Sequence, residues 1–182
     1  MHPRIAELFR YLDEQHAALL AATAAIPGDK QSISPAVNAW SVAQIVEHLF
    51  LLERRLIPVF TKLIAEARDR GLSLDTDTSS VLHAFDPGRF LDRTRKIVTR
   101  EATRPTGTLS VAAGLEALAA ARHDLKAIVL SADGLALGTV VQAHPAFGTL
   151  NLYEWIAFLG AHTARHVMQI QEVGRLLQGH SG

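Results

Sequence analysis

Cysteine is absent from this chain of 182 residues. That absence excludes a disulfide framework, a thiolate metal site and a cysteine nucleophile together. Any thiol chemistry has to bring its thiol from outside. An excess of one charge is missing as well, because 18 Lys and Arg balance 18 Asp and Glu for a formal net charge of zero. With no basic face to neutralise phosphates, nucleic-acid binding is not expected. The chain has no run of about 18 uncharged apolar residues, and Met1-His-Pro-Arg4 does not lead into an apolar segment. The expectation is a cytoplasmic protein without a membrane span, folded as one domain over residues 1–182.

Alternation of apolar and polar residues with period two is also lacking, while four long segments carry apolar residues at helical spacing. The fold class expected is therefore all-α. The first helix follows Pro3 and places Ile5, Leu8, Leu12, His16, Leu19 and Ile26 on one stripe before Pro27-Gly28 stops it. The second opens on a capping box, Ser41 with Gln44, stapled by Trp40 and Ile45, and is expected to run to about Arg70 with a kink at Pro58. The third spans Ser110 to Leu130. The fourth repeats the opening grammar of the second, with Asn151 as cap, Glu154 closing the box and Leu150 stapled onto Trp155, and is expected to reach about Gln178. The connection from Leu72 to Gly107, which contains Asp86-Pro87-Gly88, is too long for an ordinary link between bundled helices. It reads as functional, partly helical, or a crossover.

Histidine is what the chain has in plenty, with nine copies. His162 and His166 fall on the apolar stripe of the fourth helix, about 40° apart around the axis and ~6 Å along it, so both imidazoles can reach one metal ion. The competing reading is a pair of core histidines satisfied by a backbone carbonyl or by Gln169. His48 borders the apolar face of the second helix near Ile45 and Leu52 and would bring a third imidazole to the same interior. His16 lies on the core stripe of the first helix, either as a fourth inward histidine or as a satisfied core residue, and the second reading is preferred.

Other motifs are missing. No glutamate is followed three residues later by His, so the pairs of di-iron bundles are absent. His162-Thr-Ala-Arg-His166 lacks the zincin glutamate, and no P-loop, G-x-G-x-x-G, G-x-S-x-G or Ser-x-x-Lys pattern appears. A three-histidine site with open positions remains.

Trp40-Ser-Val-Ala-Gln-Ile-Val-Glu-His48, Arg104-Pro-Thr-Gly107, His144-Pro-Ala-Phe-Gly148, Leu150-Asn-Leu-Tyr-Glu-Trp155 and His162-Thr-Ala-Arg-His-Val-Met-Gln-Ile170 together resemble the DinB-like superfamily over nearly the whole chain. The resemblance implies a four-helix bundle of up-down-down-up type with a long connection between helices two and three. It also implies one divalent metal ion held by His48, His162 and His166. The family includes thiol-dependent enzymes, among them mycothiol-dependent maleylpyruvate isomerase and bacillithiol transferases, besides members called hydrolases. The function it implies is a metal-dependent enzyme that activates an external low-molecular-weight thiol, or water, for transfer to or hydrolysis of a small electrophilic substrate. The alternative is a non-catalytic metal-binding or stress-related bundle. A homodimer is expected from the resemblance and from the neutral, fairly apolar chain.

Three neutral imidazoles leave the full dipositive charge on an ion, whether zinc, nickel, iron(II) or manganese. A water or thiol beside it would be acidified. Four further residues are pocket candidates: His16, Arg122, His144 and Gln169. Arg122 lies on an inward stripe, where its guanidinium needs a carboxylate or an anionic ligand; a plain buried ion pair or a snorkelling side chain is preferred. His144 belongs either to turn architecture or to a pocket wall. Arg165 is expected at the surface or in an ion pair, and His2 and His180 are expected to be solvated.

Overall fold

The computed structural model describes residues 1–86, 88–92 and 101–179. The chain is mostly helical. In order come α1 (Pro3–Ala24), α2 (Val42–Asp69), the one-turn helices α3 (Val81–Ala84) and α4 (Gly88–Leu91), α5 (Val111–Ser131), strands β1 (Val141–His144) and β2 (Gly148–Asn151), and α6 (Leu152–Gly179).

The helix starts follow their local chemistry. The Ser41 hydroxyl accepts from the Gln44 amide while the Gln44 side chain accepts from the Ser41 amide, the reciprocal capping box. Asn151 and Glu154 make the same exchange at the start of α6, at 3.0 and 2.8 Å. Ser110 caps α5 by accepting from the Ala113 amide. Pro58 removes one backbone donor, yet α2 runs through it without a break. The helical fold carries one small sheet: β1 and β2 pair antiparallel, with His144 opposite Gly148 and Val141 opposite Asn151. The turn expected before the fourth long helix is thus the tip of a hairpin.

α2 packs chiefly along α5, and α1 along α6. Glycine sets the second approach, because a Cβ at Gly160 would lie 2.3 Å from the Tyr11 ring and one at Gly174 would lie 2.5 Å from Ile26. The connection after α2 is partly helical and is tied down at its start. Arg4 reaches Asp75, Asp77 and Ser79, the Tyr153 hydroxyl donates to Asp75 at 2.7 Å, and Glu7 accepts from Ser80 and from the amides of Val81 and Leu82 at the start of α3. Pro87, within the turn singled out from the sequence, lies outside the described residues.

The apolar interior falls into two clusters. One contains Ile5, Leu8, Leu12, Phe60, Leu125 and Trp155; the other contains Leu19, Ile45, Leu49, Leu118, Val167 and Ile170. Each long helix contributes to both and carries polar residues between its two contributions: His16 on α1, Glu53 on α2, Arg122 on α5, and His162, Thr163 and His166 on α6. Burying such groups costs several kcal/mol unless each finds a partner, so a polar level inside a helical core has to be accounted for group by group. Among the described residues, no helix is long and apolar enough to cross a membrane.

Candidate metal centre

His162 and His166 project from the same face of α6, and His48 meets them from α2. His162 Nε2 lies 3.2 Å from His166 Nε2 and 3.4 Å from His48 Nε2. The three donor atoms all lie within 4.8 Å of one another. The opposite ring nitrogens decide what these atoms carry. His48 Nδ1 lies 2.8 Å from the Thr103 carbonyl, which has no proton to give, so this nitrogen is the donor. His166 Nδ1 likewise donates to Gln169 Oε1 at 2.8 Å. In a neutral imidazole one nitrogen donates and the other accepts, so Nε2 of His48 and of His166 each presents a lone pair toward the cluster centre.

Burial lowers the His48 pKa, against the opposing pull of the Thr103 carbonyl. Burial, helped by the neighbouring imidazoles of His166 and His48, holds His162 well below the ordinary histidine value. Both rings are therefore neutral at pH 7, the form that ligates. Converging lone pairs without enough protons between them repel one another, and a cation at their centre reverses the sign of that interaction. The donor set fits a divalent metal of the imidazole-binding group, with room left for exogenous ligands.

The carbonyl that orients His48 is itself held in place. Glu47, next to His48 on α2, is buried, and its carboxylate accepts from the Thr106 hydroxyl at 2.6 Å, the Thr106 amide at 3.1 Å and the Gly107 amide at 2.7 Å. Burial pushes this carboxyl up, but these hydrogen bonds outweigh it and hold the group below the ordinary glutamate value. Gly107 sits at φ +76°, a left-handed conformation that glycine adopts without strain. Glu47 thus clamps Arg104-Pro-Thr-Gly107 to α2, so that Thr103 just before it reaches His48.

The three histidines line a cavity of about 700 Å³. Its aromatic wall comes from Trp40, Phe90, Phe147, Trp155 and Phe158. His144 stands in this wall with its ring centroid 4.6 Å from Phe158 and 4.9 Å from Trp155, and its Nδ1 accepts from the Ala146 amide at 3.1 Å. The Trp155 indole donates to the Gln142 carbonyl at 3.1 Å, which fixes the ring against the hairpin.

Of the four pocket candidates, His144 and Gln169 line this cavity, and His16 and Arg122 do not. Arg122 is paired in the buried polar level: Nε donates to Glu53 at 3.0 Å, the terminal nitrogens contact Glu53, the Leu12 carbonyl and Thr163, and the guanidinium residue is 4% exposed. Burial pushes the Glu53 carboxyl up, against the pull of Arg122. His16 is half-buried beside them, its Nδ1 has no hydrogen-bond partner among the described residues, and burial, with the Arg122 charge adding to it, lowers its pKa. Arg165 departs from the surface expectation. It lines the cavity and donates to the carbonyls of Phe90 and Asp92, because the cavity is wider than the angular sector set by the two ligating positions. His2 is half-buried rather than solvated, with a buried Nδ1 that lacks a partner among the described residues, and His180 lies outside those residues.

The sequence reading did not single out Glu47, Thr103 or the cavity role of Trp40. The adjacency of Glu47 to a candidate ligand is a signal only once the Arg104–Gly107 segment is known to pack beside it. Among known proteins, a family model for the DinB superfamily matches residues 11–170. No curated protein and no solved structure matches the chain.

Proposed function

The chain belongs to the DinB superfamily, and on that premise we propose that it is a metal-dependent enzyme acting on a small electrophilic substrate. In this reading His48, His162 and His166 hold one divalent ion, and an external low-molecular-weight thiol, or water, is the nucleophile. The observation that carries it is the pair of committed Nδ1–H groups, which turns two Nε2 lone pairs onto the third imidazole. When bound, the ion supplies Lewis acidity that lowers the pKa of a thiol or water beside it.

The residues of the chain do the rest. Thr103 and Gln169 hold the His48 and His166 imidazoles in the ligating tautomer, and the aromatic wall gives the site an apolar flank. His144, whose Nδ1 accepts from Ala146, keeps its proton on Nε2 and can donate it to charge developing on a substrate. No Asp or Glu lines the cavity among the described residues. Hydrolysis without a positioned base loses on the order of 10²-fold in proton transfer, and a thiol, already acidic, needs no such base. This favours the thiol over water. The absence of cysteine, Ser-x-x-Lys and a nucleophile elbow argues against a covalent protein intermediate.

The same reading takes the four long helices as one up-down-down-up bundle and one domain, working in the cytoplasm as a homodimer. Exposed Val37, Leu74 and Val141 are compatible with apolar association. The test is activity of protein loaded in turn with zinc, nickel, iron(II) and manganese against a panel of electrophiles, with and without thiols. Turnover that requires thiol and vanishes in His166→Ala supports the proposal. Hydrolysis indifferent to thiol moves it to water, and silence in both arms leaves a metal-binding protein without catalysis.

A further inference from the structure

Charge is distributed unevenly around the cavity. Among the described residues that line it there is no carboxylate, but there are two arginines. Arg165 is engaged by the carbonyls of Phe90 and Asp92. Arg55 is exposed on α2, and no hydrogen bond, ion pair or ring contact engages it among the described residues. It follows His48 by seven positions, which places it about 10 Å further along the helix axis. Leu52, Leu56 and Val59 line the cavity from the same helix. The cavity lining therefore brings together a cluster of imidazoles, flat aromatic faces at Phe90, Phe147, Trp155 and Phe158, and an exposed guanidinium that is uncommitted among the described residues.

Each part selects for something. A volume of about 700 Å³ is that of a site for a small molecule. Aromatic walls favour a flat apolar body, which stacks at low entropic cost. A guanidinium with no protein acceptor among the described residues, in a cavity whose described lining has no carboxylate, favours a compact anion and matches the two oxygens of a carboxylate. Low-polarity walls strengthen that attraction compared with an open surface.

We propose that the substrate is an aromatic acid, with its carboxylate received by Arg55, its ring against the Phe90–Phe158 wall and its reactive end toward the three histidines. This deepens the proposed function and rests on it for the reactive end only; the carboxylate anchor stands without a metal.

The chain's two tryptophans, Trp40 and Trp155, both line the cavity, so intrinsic fluorescence reports occupancy directly. The probes are 4-phenylbutanoate and its neutral isostere 4-phenylbutanamide, titrated into the full chain after dialysis against chelator and again after zinc loading. The expected result is an affinity about fivefold higher for the acid in both forms. Arg55→Gln should abolish that preference by weakening the acid alone, with circular dichroism unchanged. Equal binding of acid and amide, binding of neither, or a preference that survives Arg55→Gln overturns the proposal. So does a preference seen only in the zinc-loaded form, since the acid then sits at the histidines. Elemental analysis of the zinc-loaded sample separates the two readings: absence of stoichiometric zinc sinks the metal site and leaves the chelated-protein result standing.

Discussion

Two sets of polar side chains occupy the same level of this helical interior and satisfy their chemistry in opposite ways. On one side Arg122 meets Glu53 through two nitrogens and also contacts the Leu12 carbonyl and Thr163, so donors and acceptors are matched within the protein. On the other side His48, His162 and His166 point like atoms at one another, and the opposite ends of His48 and His166 are already spent on Thr103 and Gln169. The Arg122–Glu53 pair is matched as it stands, although the buried Nδ1 of His16 beside it has no partner among the described residues. The second set has an arrangement that a cation would complete, and it lines a cavity. Burial alone therefore does not separate a structural polar group from a functional one; the balance of donors and acceptors does.

The sharpest way to break this comparison is to remove one imidazole. Replacing His162 or His166 with Ala should abolish stoichiometric divalent metal at neutral pH while leaving a folded protein, as read by elemental analysis and circular dichroism. Tight metal in both variants would make the histidines another satisfied core cluster.

The converse change acts on stability instead. Arg122→Met leaves Glu53, 2% exposed, without its partner, and should cost about 3–5 kcal/mol in denaturant unfolding. Adding Glu53→Leu should restore most of that loss, because the pair is then replaced by apolar packing. Zinc stoichiometry of the folded fraction should be unchanged, which would confine Arg122 to the closed half of the level.

A smaller effect is expected beside the candidate ligands. Glu47→Gln exchanges a charged acceptor of three hydrogen bonds for a neutral one that accepts on one side only. The Thr103 carbonyl should then hold His48 less firmly, and zinc affinity by competition with a chelator should fall about 10- to 100-fold. An unchanged affinity would separate the clamp from the site.

Acid is the mildest probe. Burial lowers the pKa of His48 and of His162, so both remain neutral from pH 8 to 7 and zinc affinity should stay nearly flat across that range. Protons compete once the folded values are approached, and affinity should fall only below about pH 6. A decline beginning above pH 7 would mean that the rings are not shielded as their burial implies.

Much of the helical framework was legible in the chain. Both capping boxes, the helix starts at Ser41, Ser110 and Asn151, and the inward stripe of α6 follow from contacts three or four residues apart. The candidate ligands were legible for the same reason in the case of His162 and His166, and His48 followed from its place beside an apolar stripe and from resemblance. The hairpin was not, because four-residue strands are too short to show an alternating pattern and His144 and Phe147 read equally well as turn residues.

By itself, then, the amino-acid order determined where helices begin, which faces they bury and that two imidazoles share one of those faces, because each of these depends on 1.5 Å rises and 100° steps within a single segment. Only the tertiary structure decided what those faces meet. Glu53 partners Arg122 across 69 positions, the Thr103 carbonyl reaches His48 across 55, and His48 meets His162 across 114. Helical periodicity carries no information about such pairings; they arise when α1 to α6 pack, and it is there that Arg122 closes on Glu53 while the three histidines converge in an arrangement that could hold a metal ion.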